Sequence, residues 1–276
     1  MAITAKEVNK LRQMTGAGMM DCKKALVEAD GDFDKAIEIL RKKGQKLSEK
    51  RADRETTEGA VFVRTSEDGT KAILVAFTCE TDFVAKNDDF QALGNEIADA
   101  ALANDAADLD AVKALSLGEL TVQDKVTELL GKIGEKLEVT QFEQLTGDQV
   151  ASYIHSNGKL GVLVALANTN GADVADAGKD VGMQIAAMNP VALDKDGVDS
   201  ATVEKEIEIG KDQARQEGKP EAILEKIAQG KLQKFFKENT LLSQSFVKEP
   251  KQSVAEYLNS VEKGLTVSAF KRVSIG

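Results

Sequence analysis

The residues that could do chemistry are few, and most stand in the wrong company. His155 is the one histidine in the chain. A Ser-His-Asp arrangement needs such a residue, but His155 lies just before the hairpin turn Asn157-Gly158, with no Gly-x-Ser-x-Gly context. Zinc takes several Cys or His ligands at short spacings, and Cys22 and Cys79, the only cysteines, stand far apart. Gly16-Ala17-Gly18 begins like a dinucleotide fingerprint, yet Asp21 occupies the third glycine's position and no strand precedes it. No Gly-x-x-x-x-Gly-Lys-Ser/Thr loop occurs. Acid pairs such as Asp88-Asp89 are what any charge-rich chain offers. The expectation is a protein that is not an enzyme and has no metal, cofactor or nucleotide site of its own; a hydrolase built on His155 is the chemical alternative. The pair that stands out is Asp82-Phe83, an acid beside an aromatic just after a strand-like run.

Composition narrows the partner. Of 276 residues, 42% are hydrophobic and 30% charged, and the net charge of −10 is poorly suited to non-specific nucleic-acid binding, which needs clustered cations to displace counterions. The charge is uneven: residues 1–54 carry a net +4 and the remainder a net −14. A small basic module ahead of a large acidic body fits a protein partner approached from two sides. Two unpaired cysteines point to a reducing compartment. The N-terminus lacks an apolar signal region, and the longest apolar run, residues 160–167, is far short of the ~18 residues a membrane span needs. A cytoplasmic protein with no membrane or nucleic-acid partner is expected.

The elements that must position these residues read as α+β. Residues 4–44 form three short helices: Thr4 and Glu7 have capping-box spacing, Gly16 and Gly18 break the chain, and Cys22, Leu26 and Ala29 share one face of the second. Phe33, Ala36, Ile37 and Leu40 make the third, with Gly44 expected to close it and residues 45–58 to act as a charged tether. An internal repeat follows. Displaced by 89 positions, Gly69 falls on Gly158 and Ile73-Leu74-Val75-Ala76 on Val162-Leu163-Val164-Ala165; after a one-residue slip, Leu93, Gly94, Ile97 and Ala98 fall on Val181, Gly182, Ile185 and Ala186. Each copy is a hairpin followed by a helix, and two copies side by side could share one core. Residues 108–134 between the copies read as helical and 137–145 as extended. Asn189-Pro190 ends the second copy's helix. Val203, Ile207, Gly210 and Ala214, then Leu224, Ala228, Leu232 and Phe235, are narrow stripes of a protruding antiparallel helical hairpin, whose exposed apolar edge suits self-association as a homodimer. A last helix and a strand over 265–273 complete the chain. The expected units are 1–54 (helical module and linker), 55–146 (first repeat), 147–198 with 239–276 (second repeat) and 199–238 (helical hairpin).

The repeat gives leverage on the acid–aromatic pair. Copy two carries Thr169-Asn170-Gly171-Ala172 where copy one carries Thr81-Asp82-Phe83-Val84, so the fold unit does without Asp82 and Phe83. Either Asp82 caps the next helix and Phe83 plugs the core, or both serve a partner. Thr78-Cys79-Glu80-Thr81-Asp82-Phe83-Val84-Ala85-Lys86-Asn87, and Leu11-Arg12-Gln13-Met14-Thr15-Gly16-Ala17-Gly18-Met19-Met20-Asp21-Cys22-Lys23-Lys24-Ala25-Leu26, resemble the central and N-terminal signatures of bacterial elongation factor Ts. The resemblance covers essentially the whole chain. It departs in Ala76, where the family often has an acid, and in ending at Gly276, where some members continue into a further helix. It implies guanine-nucleotide exchange on elongation factor Tu, in its GDP-bound and nucleotide-free forms. Arg12, Met19 and Met20 of the helical module would then contact the GTPase, the tip of Thr81, Asp82, Phe83 and Val84 would intrude beside its Mg²⁺ site, and Ile133, Gly134 and His155 would make further contacts. For His155 a plain surface role stands equally open. The helical module also resembles ubiquitin-associated domains, which leaves a peptide-binding adaptor as the alternative.

Overall fold

The computed structural model describes residues 3–276. Helices α1 (Ala5–Thr15), α2 (Met19–Glu28) and α3 (Phe33–Lys50) come first. Thr4 and Glu7 do form a capping box, and Gly16, left-handed at φ 65°, ends α1. Leu11, Cys22, Leu26, Ala29 and Ala36 close a small core of their own.

The body begins with β1 (Glu58–Thr65) and β2 (Lys71–Cys79), then the single turn α4 (Asp82–Ala85) and α5 (Asp88–Ala103). The stretch expected to be helical over 108–134 is interrupted. It comprises α6 (Leu109–Ala114), a two-residue-per-strand hairpin of β3 (Ser116–Leu117) and β4 (Leu120–Thr121), and α7 (Val122–Ile133). β5 (Leu137–Thr146) then pairs antiparallel with β2, giving the sheet order β1-β2-β5. The second copy has β6 (Gln149–Ile154), β7 (Leu160–Ala167) and α8 (Ala175–Met188). After α9 (Ser200–Gln216), α10 (Glu221–Asn239), the small β8 (Ser245–Phe246) and β9 (Glu249–Ser253) hairpin and α11 (Val254–Val261), β10 (Thr266–Ser274) pairs with β7. Each copy is thus a three-stranded sheet with the hairpin's second strand in the middle.

Strand pleat explains the unbroken apolar runs, because successive side chains point to opposite faces and both faces are buried. On β2, Ile73, Val75 and Phe77 lie under α5, with the Phe77 ring stacked on Phe90 at 4.2 Å. The alternate residues Ala72, Leu74 and Ala76 meet Leu163 and Ala165 of β7 in a core between the two sheets. Val162, Val164 and Leu166 lie under α8. The layers run helix, sheet, sheet, helix. The copies also trade backbone bonds at the 89-residue offset: Val61 N–H donates to Gly158 O at 2.9 Å and Val150 N–H to Gly69 O at 2.8 Å. The matched glycines Gly94 and Gly182 let their helices approach an aromatic of the sheet, Phe62 in one copy and Tyr153 in the other; a Cβ on Gly94 would fall 2.2 Å from the Phe62 ring.

Two expectations about connections need correction. Gly44 does not close α3, which continues to Lys50. It is buried where α3 crosses α7: a Cβ there would meet Thr127 O at 3.1 Å, and one on Gly131 would meet the Gly44 Cα at 3.2 Å. Two facing glycines let the helix backbones touch, so this residue favours packing over termination. Nor do residues 45–58 hang free. Leu47 packs on the first core, Arg51 reaches Glu80 at 2.7 Å, and Lys136 Nζ donates to the carbonyls of Ala52 and Arg54 at 2.8 and 2.9 Å. By contrast α9 and α10 do pair antiparallel, with Gly210 against Ala228 and Leu224, Ala228 and Leu232 buried between them. They join the body at their base, where Ala192 bridges Thr240.

Candidate functional site

β2 ends at Cys79, paired with Leu137 at the start of β5. The chain then makes the one-turn helix α4, and its cap is Thr81, whose side chain accepts from Val84 N–H at 3.5 Å. Asn87 caps α5. Asp82 therefore caps nothing, and Phe83 plugs nothing: its side chain is 83% exposed, while Val84 and Ala85 turn inward to the first core. Asp82 is itself half-exposed and pairs with Lys86 at 2.8 Å, and that hydrogen bond holds its carboxyl below the usual carboxylate range. An acid and a phenyl ring are presented together to solvent at the end of the sandwich.

Two glutamates hold this turn. Glu135 accepts from Thr81 N–H at 3.1 Å and from the Thr81 hydroxyl at 2.9 Å. Glu80 accepts from Arg51 and Arg54, both at 2.7 Å, and from Lys136 N–H at 2.6 Å. Burial of Glu80 works against its charge, but the Lys136 amide and the two guanidinium groups outweigh it and bring the carboxyl down to about 2. The Cys79 thiol donates to Thr81 O at 3.1 Å. Burial first, then the nearby Glu135 and Glu58 charges, push it up to about 12, so it is no nucleophile.

The other expected site residues divide between this end and the helical module. Gly134, left-handed at φ 85°, ends α7 directly before Glu135, and half-buried Ile133 packs on the first core. Lys132 pairs with Asp89 at 2.6 Å and lies against Gly16 of the module, where a Cβ would come within 2.7 Å of its Cε. Met14 and Gly134 line one cleft of about 480 Å³ between module and body. On the module Arg12 is exposed, as are Met14 (55%), Met19 (52%) and Met20 (63%). His155 is exposed at the end of β6, with Nδ1 3.0 Å from the Tyr153 hydroxyl. Among the described residues no carboxylate hydrogen-bonds to it, as a hydrolytic triad would require. Its turn lies at the same end as the acid–aromatic tip: Lys159 reaches Glu58 at 2.6 Å, and Glu58 is the register partner of Cys79. Sequence reasoning passed over Met14, Glu80 and Glu135. Two of these sat inside the quoted motifs, and the third directly follows a helix-ending glycine.

The family model for Elongation factor TS matches residues 80–276, a span that opens on the tip itself. Elongation factor Ts of Cytophaga hutchinsonii is 59% identical over 274 residues, covering 99% of each chain. The chain belongs to the elongation factor Ts family. Two more elongation factor Ts proteins share its full length: that of Amoebophilus asiaticus, 55% identical over 276 residues and 100% of each chain, and that of Christiangramia forsetii, 56% identical over 275 residues and 99% of each. These full-length matches extend the family relationship over the helical module, which precedes the span of the model. Among the described residues no group of three or more His, Cys, Asp or Glu could hold a metal ion, and no helix is long and apolar enough to cross a membrane.

Proposed function

We propose that this protein is a guanine-nucleotide exchange factor for elongation factor Tu in the cytoplasm, acting by binding and deforming the GTPase rather than by a covalent step. The observation that carries this reading is the 83% exposure of Phe83 beside an ionised Asp82 on a turn anchored from behind. A GTPase holds GDP through backbone N–H groups around the phosphates and through Mg²⁺, which neutralises their charge. A phenyl wedge moving that loop, together with an acid near the ion, weakens both holds. By linkage the nucleotide then weakens the factor's grip in return, so the complex turns over through a nucleotide-free state. Burying one phenyl group on the partner contributes ~1.5–3 kcal/mol, about one to two decades in rate. Any larger acceleration draws on the remaining contacts. Residues 1–54 are the dock on the GTPase, with Arg12, Met19 and Met20 in contact, and Ile133, Gly134 and His155 add contacts at the tip's own end. The exposed methionines support this assignment, since the flexible thioether suits an adaptable interface. The direct experiment is release of fluorescent GDP from elongation factor Tu with and without the protein. Acceleration at substoichiometric amounts supports the proposal, and an unchanged rate would refute it.

A further inference from the structure

The exposure of Phe83 raises a mechanical question: a side chain with almost no packing of its own can act as a wedge only if its backbone is held. α4 spans four residues, too few to stabilise itself, because one helical turn fixes several dihedrals for a single hydrogen bond. Its cap bond from Val84 N–H to Thr81 is long at 3.5 Å. The ladder between β2 and β5 stops at the pair Cys79 and Leu137. One step further Glu80 stands opposite Lys136, and two steps further Thr81 stands opposite Glu135. At those steps carboxylates replace the carbonyls that the ladder no longer supplies. Lys136 N–H donates to Glu80, and Thr81 donates to Glu135 twice, its amide to Oε2 at 3.1 Å and its hydroxyl to Oε1 at 2.9 Å.

We propose that Glu135 is a positioning residue for nucleotide exchange, fixing Thr81 at the root of α4 so that the Asp82-Phe83 turn is presented in one orientation. This rests on the exchange function proposed above. The second copy also closes its equivalent end on a carboxylate, Asp148 accepting from the Asn168 amide at 2.7 Å and from the Thr169 amide at 3.5 Å. What is particular to the first copy is the closer, two-oxygen grip of Glu135 on both the amide and the hydroxyl of Thr81, directly before the acid–aromatic turn. Charge-assisted acceptors form the stronger hydrogen bonds, and a bidentate carboxylate restricts direction as well as distance. In this role Glu135 acts on the partner through Thr81 and α4. Its removal should therefore lower the maximal exchange rate more than the apparent affinity.

The test has two independent readouts. Hydrogen exchange of the Thr81 amide reports the clasp whether or not the protein acts on a GTPase: it should be protected in the wild type and lose protection in Glu135→Ala, with the β2 amides unchanged. Fluorescent GDP release from elongation factor Tu reports the consequence. Glu135→Ala should reduce the maximal rate about tenfold, with less than about a threefold change in the half-saturating concentration, and Glu135→Gln, which keeps one acceptor oxygen, should restore part of it. Added to the Asp82→Ala, Phe83→Ala double change, the Glu135→Ala change should cost no more than about a further twofold, since a residue acting through the tip then has nothing left to act on. Losses that multiply, an unchanged exchange rate, or undiminished Thr81 protection would each overturn the proposal. If Glu135→Ala fails to fold, the same comparisons made with Glu135→Gln decide. A wild-type protein that leaves GDP release unchanged refutes the exchange function itself, and Thr81 protection still decides the clasp.

Discussion

At the scale of single residues, the tip separates two kinds of glutamate and aspartate chemistry. Asp82 is ionised and open to solvent, available to a partner. Glu80 is ionised and spent on the protein itself, its side chain only 16% exposed among Arg51, Arg54 and the Lys136 amide. A carboxyl lowered from its ordinary 4.5 to about 2 contributes stability that is fully present above pH 4.5 and is lost as the pH falls toward 2. The contribution is at most about 3 kcal/mol, less what solvent screening removes. Thermal unfolding measured from pH 7 down to pH 2 should therefore show Glu80→Gln destabilised at neutral pH and converging on the wild type in acid. Parallel curves over the whole range would mean that Glu80 does not hold the 51–54 segment. The exposure of Phe83 could not be read from the sequence, where a core plug and a wedge look alike. Glu135 was equally hidden, because its role depends on a contact 54 residues away.

At the scale of elements, glycines record what the pattern of apolar residues could not. Gly69 and Gly158 announced two hairpins because each turn needs a positive φ, 71° and 70° here, and local turn chemistry is visible locally. Repeated apolar quartets likewise foretold paired strands, and the stripes of α9 and α10 foretold a helical hairpin. Gly44 misled for the opposite reason. Its φ is helical, and what it serves is Gly131 on another helix. Gly44→Val should push α3 off α7 by forcing a methyl group toward Thr127 O, lowering stability by about 1–3 kcal/mol. Gly230→Ala, mid-helix in α10 with open space around it, should instead raise stability by about 0.5–1 kcal/mol. Denaturant unfolding of the two variants checks both signs, and a neutral Gly44→Val would show that the helices do not depend on close approach there.

At the scale of the whole molecule, the two copies share a core between their sheets but differ in what they present: one carries the acid–aromatic tip, the other a plain turn and, inserted before its last strand, the helical hairpin. Replacing residues 199–238 with a short linker should leave the core folded, since the base residues Leu241 and Phe246 that pack under α8 remain in place. Exchange should then persist, with any change in self-association read by sedimentation; loss of exchange would make the hairpin part of the main contact. The central claim is that the tip serves the partner and not the fold. It is tested most directly by setting the unfolding temperature of the Asp82→Ala, Phe83→Ala double variant beside its rate of GDP release from elongation factor Tu. The expected result is an unfolding temperature near wild type with release slowed by at least about one to two decades. A large fall in unfolding temperature, with release unchanged per folded molecule, would contradict it.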